Sequence, residues 1–233
     1  YDAARDLARR MAERGHTLVY GGGNNGLMGA MAAEMQRTGG GRIVGVIPIA
    51  LKEAGYCLES IDEVIVTDGM RDRKAIMEER ADAFVSPSRF LWEKHRAFGF
   101  TYDRFEVVPN FVVVQDYTPR FDHDGYFVYA GRLTTFKGVG TLLRAVAALG
   151  PRAPLKVLGD GPARAQLEAQ AATLGLDGVQ FLGHQSGAAL HELVRGAMFV
   201  VVPSEWYENC PYAVLEAFAL GKPVVAADIG GIP

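Results

Sequence analysis

The sequence predicts an α/β protein built from Rossmann-like, doubly wound parallel sheets. Two observations carry that expectation. Short apolar runs alternate with stretches of helical period, the pattern that places parallel strands between crossover helices. The runs HTLVY, YFVYA, LKVL and VQFL are each followed at once by glycine, which lets a chain leaving a sheet edge turn sharply.

The composition fits a globular chain. Of 233 residues, 49% are hydrophobic and 22% charged, an ordinary balance, and the length suits one large domain or two small ones. A net charge of -3 supplies no basic field for nucleic acid or an anionic membrane. Cys57 and Cys210 lie far apart without CxxC spacing, so neither a metal site nor a disulfide framework is expected, and reduced thiols in the cytoplasm are. No stretch approaches the roughly 20 apolar residues that span a bilayer, and no signal-peptide pattern opens the chain. Its ends, Tyr1 without an initiator methionine and Pro233 after a Gly-Gly turn, read as cuts through a longer protein.

Asp2 to Arg14 carries the helical period and is closed by Gly15, and His16 to Tyr20 reads as a short buried strand. The run GGGNNGLMGAMAAEM follows. Gly21, Gly22, Gly23, Gly26 and Gly29 allow close approach of backbone to a ligand, and a helix from about Leu27 points its N-terminus the same way, an arrangement suited to phosphate. Tight strand-to-helix turns need glycine in any case, so the spacing alone leaves both readings open. After the linker Gly39 to Gly41, strands are expected at Ile43 to Ile47 and Glu63 to Thr67, with a helix at Met70 to Glu79. Arg71, Arg73 and Lys74 at that helix start oppose the macrodipole, which suits either an anion site or a solvated face.

GHTLVYGGGNNGLMG, the GVIP of Gly45 to Pro48 and Met70-x-x-Arg73-Lys74 resemble the LOG family of nucleotide phosphoribohydrolases over about residues 1 to 84. Members cleave a nucleoside monophosphate to base and ribose phosphate. The resemblance implies that Gly22, Gly23, Gly26, Gly29, Arg73 and Lys74 bind a phosphate. The family's PGGxGTxxE signature, which supplies its catalytic glutamate, does not follow Phe84. Phosphate binding is therefore the most this piece is expected to do, and hydrolysis is not expected.

From Val85 the pattern changes. SPSRFLWEKHRAFGF reads as a helix capped by Ser86 or Ser88 and ended by Gly99, Phe105 to Pro109 as a strand, and Asn110 to Asp124 as a loop. VSPSRFL and VVPNFV resemble the end of the first domain and the linker of GT4 glycosyltransferases, whose fold is GT-B. The expected divisions are 1–84, 85–125 and 126–233. A join inside the strand-like ADAFV keeps the apolar pattern in register, as an engineered chimera, a natural fusion or a misassembled frame would all do.

Tyr126 to Ala130 is the next strand, followed by Gly131 and Arg132, and Lys137-Gly138 leads into a helix at Val139 to Leu149. An arginine fork with a lysine point charge suits a diphosphate, although both residues crowd loop surfaces generally. Strands at Leu155 to Leu158 and Val179 to Leu182 end in Gly159-Asp160-Gly161-Pro162 and Gly183-His184, where His184 suits either a base contact or an ordinary loop position. A helix at Leu190 to Ala197 precedes a buried strand at Met198 to Val202. Ser204 to Ala226 then opens a helix with Glu208 at its entrance and Glu216 about two turns on. Taken alone, two glutamates so placed would also suit a solvated face.

The ordered set GRLTTFKG, LGDGP, FLGH, PSEWYEN, E-x7-E and GKPVVAADIGGIP resembles the nucleotide-sugar half of a GT4 enzyme. That resemblance implies that Arg132 and Lys137 hold the diphosphate of a nucleotide sugar without a metal or other cofactor. It places Glu208 on the donor sugar and Glu216 on the ribose hydroxyls. Gly131, Gly159 and the turn Asn209-Cys210-Pro211-Tyr212 would line the donor site, and Ala226 to Gly231 would shape the sugar pocket. Cys210 itself suits packing better than nucleophilic attack. The expected activity is retaining glycosyl transfer, impaired in this chain; the alternatives are a LOG-type hydrolase and a non-catalytic nucleotide-binding chimera.

Overall fold

The computed structural model describes residues 2–99, 104–150 and 152–233, and the chain divides into two units, Tyr1–Phe84 and Val85–Pro233. The first contains, in order, α1 (Asp2–Glu13), β1 (Thr17–Tyr20), α2 (Gly26–Thr38), β2 (Arg42–Pro48), α3 (Ile49–Glu53), β3 (Glu63–Thr67) and α4 (Met70–Glu79). Its three strands are parallel in the order β1-β2-β3, with Leu18 opposite Ile43 and Val46 opposite Ile65. The central strand β2 is buried from Ile43 to Pro48, as its unbroken apolar run requires of a strand covered on both faces. Ala8, Ala12, Ala32 and Met35 bring α1 and α2 onto one face of β1 and β2. The outer face of α1 is charged and laced by Arg10–Asp6 (2.8 Å) and Arg9–Glu13 (3.1 Å).

β4 (Phe84–Ser86) crosses the division and is followed by α5 (Arg89–Ala97) and β5 (Phe105–Val107), which pairs with it. Ser88 is the helix cap: its Oγ accepts from Leu91 N–H at 3.3 Å, while Ser86 Oγ donates to the Ser88 carbonyl. The strand expected to reach Pro109 stops at Val107, because proline offers no N–H to continue a ladder.

The rest of the second unit runs β6 (Tyr126–Ala130), α6 (Val139–Leu149), β7 (Leu155–Leu158), α7 (Arg164–Thr173), β8 (Val179–Gly183), α8 (Gly187–Arg195), β9 (Ala197–Val202), α9 (Tyr212–Ala219) and β10 (Val224–Ala226). All five strands are parallel, in the order β10-β9-β6-β7-β8. The chain moves outward from β6 to β8, then returns across the sheet to β9 on the other side of β6. This reversal is the topological switch of a doubly wound sheet.

Side chains alternate across β6. Phe127 and Tyr129 join Leu143, Leu155 and Leu167 under α6 and α7, while Tyr126 and Val128 join Val194, Val200 and Ala217 under α8 and α9. Helix α8 starts and ends earlier than its sequence pattern indicates. At Gly196 a Cβ would lie 2.3 Å from Tyr126 Oη, so the chain passes close beneath β6 there and Ala197 already belongs to β9. None of the helices among the described residues is long and apolar enough to cross a membrane.

Candidate functional site

In the second unit, the loops that leave β6, β7, β8 and β9 surround one cleft of about 730 Å³. It sits at the carboxyl ends of the strands around the switch between β6 and β9, where open α/β sheets bind ligands. Its walls include Gly131, Arg132, Lys137, Gly159, His184, Glu208, Cys210, Pro211, Tyr212 and Glu216. Nearly all the expected donor-site residues therefore meet in one concavity. Asn209 is the exception, held by its backbone against the 229–232 turn rather than facing the cleft.

Each functional side chain is set by its element. Arg132 is exposed, and its loop is tied back to β6 by Tyr129 Oη, which donates to the Arg132 carbonyl at 3.0 Å. Burial raises the Tyr129 phenol well above its usual value, with the Glu208 carboxylate adding to the rise, so the hydroxyl remains a proton donor. Gly159 makes the β7 turn possible: a Cβ there would lie 1.9 Å from the Gly131 carbonyl. Beyond it, Asp160 accepts from Gly161 N–H and from Arg164 at 3.0 Å; these bonds, the first above all, hold its carboxyl below the usual carboxylate range.

Lys137 and Glu208 meet directly. Lys137 Nζ lies 2.6 Å from Glu208 Oε1, and Ser204 Oγ donates to the same oxygen at 2.5 Å. The sequence places Lys137 beside Arg132 as a second cation; the structure gives it a carboxylate partner. Glu216, about one turn into α9, lies 3.5 Å from Tyr117 Oη, at the outer limit of a hydrogen bond. The Tyr117 ring packs on His191 with centroids 4.9 Å apart, and burial followed by the Glu216 charge raises its phenol. Asn110 Nδ2 donates to the Cys210 carbonyl at 2.7 Å, which fixes the turn entering α9.

Ser204, Tyr117, His191 and Asn110 were not singled out by sequence. Asn110 and Tyr117 lie 100 and 99 residues from their partners, so no local spacing reveals them. Ser204 stands four residues before Glu208, the one signal that sequence offered. Ala226 to Gly231 is the stretch expected to shape the sugar pocket, and its two glycines make backbone contacts. Gly230 and Gly231 press on the backbone of Tyr207 to Asn209, and Gly231 N–H donates to the Glu208 carbonyl at 2.6 Å. They brace the loop bearing Glu208 and do not line the cleft.

In the first unit, Gly21, Gly22 and Gly23 form the buried turn after β1, Gly26 opens α2, and Gly29 is buried inside it. A Cβ on Gly21 would fall 1.5 Å from an Arg73 guanidinium nitrogen. Arg73 therefore lies across the glycine turn, and its Nε donates to the Val46 carbonyl at 3.0 Å. Lys74 is exposed and about 100° further round α4, so only Arg73 of the expected pair reaches the turn. Among the described residues no group of three or more His, Cys, Asp or Glu side chains is placed to hold a metal ion.

Residues 116–233 match the family model described as glycosyl transferases group 1, and residues 1–87 match that of the SLOG cluster4 family. The cytokinin riboside 5'-monophosphate phosphoribohydrolase of Mycobacterium tuberculosis is 46% identical over 84 residues, covering 36% of this chain and 44% of that protein. The probable cytokinin riboside 5'-monophosphate phosphoribohydrolase LOGL9 of Oryza sativa is 46% identical over 85 residues, 36% of this chain and 37% of that protein. Among solved structures, sucrose-phosphate synthase from Thermosynechococcus elongatus superposes with a TM-score of 0.65 at 21% identity, over 99% of this chain and 60% of that one. Anabaena Alr3699/HepE in complex with UDP-glucose gives 0.63 at 20%, over 98% and 64%. The lipopolysaccharide outer core galactosyltransferase WaaB gives 0.60 at 20%, over 99% and 61%. The chain thus spans about two fifths of the curated relatives and about three fifths of these structural neighbours, and the structural likeness establishes the fold.

Proposed function

The chain belongs to the group 1 glycosyl transferases through residues 116–233, and on that premise we propose that its cleft binds a nucleoside diphosphate sugar for retaining transfer to an acceptor. The observation that carries the reading is the convergence of Arg132, Lys137, Glu208, Glu216 and the start of α9 on one strand-end cleft. Transfer breaks the bond between the anomeric carbon and the diphosphate oxygen, and negative charge grows on the departing nucleotide. Arg132 and Lys137 stabilise that charge in place of a metal, and the first N–H groups of α9 add their dipole. Glu208 accepts from donor-sugar hydroxyls, and Glu216 from the ribose. A neighbour solved with UDP-glucose supports this class of ligand. The unpaired thiols Cys57 and Cys210 support a reducing, cytoplasmic setting.

Calorimetric titration with UDP, GDP, UDP-glucose and AMP tests the proposal. The expected result is diphosphate binding that Arg132→Ala and Glu216→Ala each abolish; binding of none of the four overturns it. A second reading rests on Arg73 lying across the glycine turn, which favours nucleoside monophosphate binding by the first unit. AMP binding lost in Arg73→Ala and kept in Arg132→Ala would establish it. Binding of UDP-glucose with no release of UDP, in water or with sugar acceptors, would make the chain a non-catalytic nucleotide-binding protein.

A further inference from the structure

Two hydrogen-bond donors converge on a single oxygen of Glu208. Lys137 Nζ and Ser204 Oγ both reach Oε1, at 2.6 and 2.5 Å. The two donors are unlike in mobility. Ser204 is 3% exposed at the end of β9, on a one-bond side chain that cannot travel. The Lys137 side chain is 31% exposed on a flexible four-carbon stem, in a loop that lines the cleft. The backbone beneath Glu208 is also fixed, since its carbonyl accepts Gly231 N–H at 2.6 Å. What remains adjustable at Glu208 is the direction of its carboxylate.

We propose that Ser204 is the positioning residue that keeps the Glu208 carboxylate aimed at the donor sugar after a diphosphate draws Lys137 away. This rests on the nucleotide-sugar reading above. A diphosphate carries more negative charge than one carboxylate and competes for the ammonium on electrostatic grounds. Once Lys137 turns, Ser204 Oγ is, among the described residues, the remaining donor to Oε1, and Oε2 accepts a sugar hydroxyl. A carboxylate left without either donor would rotate freely and lose its discrimination between a nucleotide sugar and the bare nucleotide. Ser204 touches no substrate atom in this scheme; it acts through Glu208.

The test is the ratio of affinities for a nucleotide sugar and its nucleotide, measured by calorimetry on the whole chain with UDP, UDP-glucose, GDP and GDP-mannose. Ser204→Ala is expected to lower the sugar-to-nucleotide affinity ratio by about tenfold, the worth of a hydrogen bond to a charged group, while leaving the affinity for the bare diphosphate unchanged. Ser204→Thr, which keeps the hydroxyl, is expected to restore the ratio. In a Glu208→Ala background, which has no oxygen for Ser204 to hold, adding Ser204→Ala is expected to change the ratio no further, because the two residues act as one unit. Equal weakening of both ligands in Ser204→Ala, or no change in either, overturns the positioning role and leaves the nucleotide-sugar reading intact. Failure of the unaltered chain to bind any of the four ligands overturns both. Should Ser204→Ala not fold, Ser204→Cys, near in size and only a weak donor, decides: a lowered sugar-to-nucleotide ratio supports the proposal, and an unchanged ratio overturns it.

Discussion

Gly138→Ala should cripple the second unit, and the structure says by how much. Gly138 is buried, has φ 73 and ψ 11, and caps α6 directly after Lys137. An alanine there pays for the left-handed conformation, about 1–2 kcal/mol. Its Cβ would also lie 1.8 Å from the Pro203 carbonyl oxygen and 2.7 Å from the carbonyl carbon. Both are backbone atoms at the end of β9, so no side chain can swing aside, and the loop must move roughly 1–2 Å to reach an ordinary contact distance. Overpacking of this kind costs about 1–3 kcal/mol. The sum is about 2–5 kcal/mol, or roughly 5–15 °C in melting temperature. Gly175→Ala is the internal control, since Gly175 has φ +64 with open space around its Cβ position and carries the strain alone. Differential scanning calorimetry of the two variants measures the difference. The reasoning fails if they melt within about 1 °C of each other, because the clash would then contribute nothing. UDP affinity should fall in Gly138→Ala and not in Gly175→Ala, since only the former displaces Lys137 from Glu208.

Leu143, fully buried between α6 and β6, should lose about 2–5 kcal/mol on truncation to alanine, read as a lower urea midpoint at unchanged slope. Gly21→Ala meets the far end of Arg73 at 1.5 Å and the Met28 sulfur at 3.1 Å, both on flexible side chains, so the first unit should keep its stability within about 0.5 kcal/mol while AMP affinity falls; a large loss of stability would show that the backbone itself is obstructed. Arg120 donates to Asp124 at 3.0 and 2.6 Å and holds its carboxyl below the ordinary 3.8. The unfolded chain therefore takes up that proton first, so the contribution is whole above about pH 4 and is lost as pH falls through the lower folded value. Asp124→Asn should flatten the melting temperature against pH below about pH 4; a curve parallel to that of the unaltered chain would refute the assignment.

The sheets were legible because their strands are short, apolar and closed by glycine, and those features are local. YFVYA and LKVL became β6 and β7 at the expected bounds. Helix α7 was not, because its buried contribution is only Leu167 and Ala171, too few apolar positions to stand out as a face. The cleft residues were legible as types at loop positions, and their convergence followed from strand ends meeting at the switch. The Lys137–Glu208 contact was not, since 71 residues separate the two and side-chain pairing across a sheet edge leaves no periodic trace. The backbone contacts of Gly230 and Gly231 were not legible for a related reason. Glycine announces a close approach, but only the fold tells whether the approaching group is a ligand or, as here, the Glu208 backbone.

Residues 88–115 lie outside both family matches, yet Phe90, Lys94 and Asn110 among them support the site. Phe90 packs on Tyr207 with ring centroids 5.0 Å apart, and Lys94 stands over both rings at 5.4 and 5.1 Å. Asn110 holds the Cys210 carbonyl. These contacts fall on either side of Glu208 and clamp the turn from which its side chain projects. A fragment beginning at Tyr126 would keep every polar residue that faces the cleft. It would lose the ring beneath Tyr207, the bond to Cys210 and the Tyr117 contact to Glu216. Catalytic and binding geometry depends on such supports to within fractions of an ångström. The 85–125 stretch, expected as the end of a first domain and a linker, thus contributes Phe90, Lys94, Asn110 and Tyr117 to the supports of the cleft in the second unit.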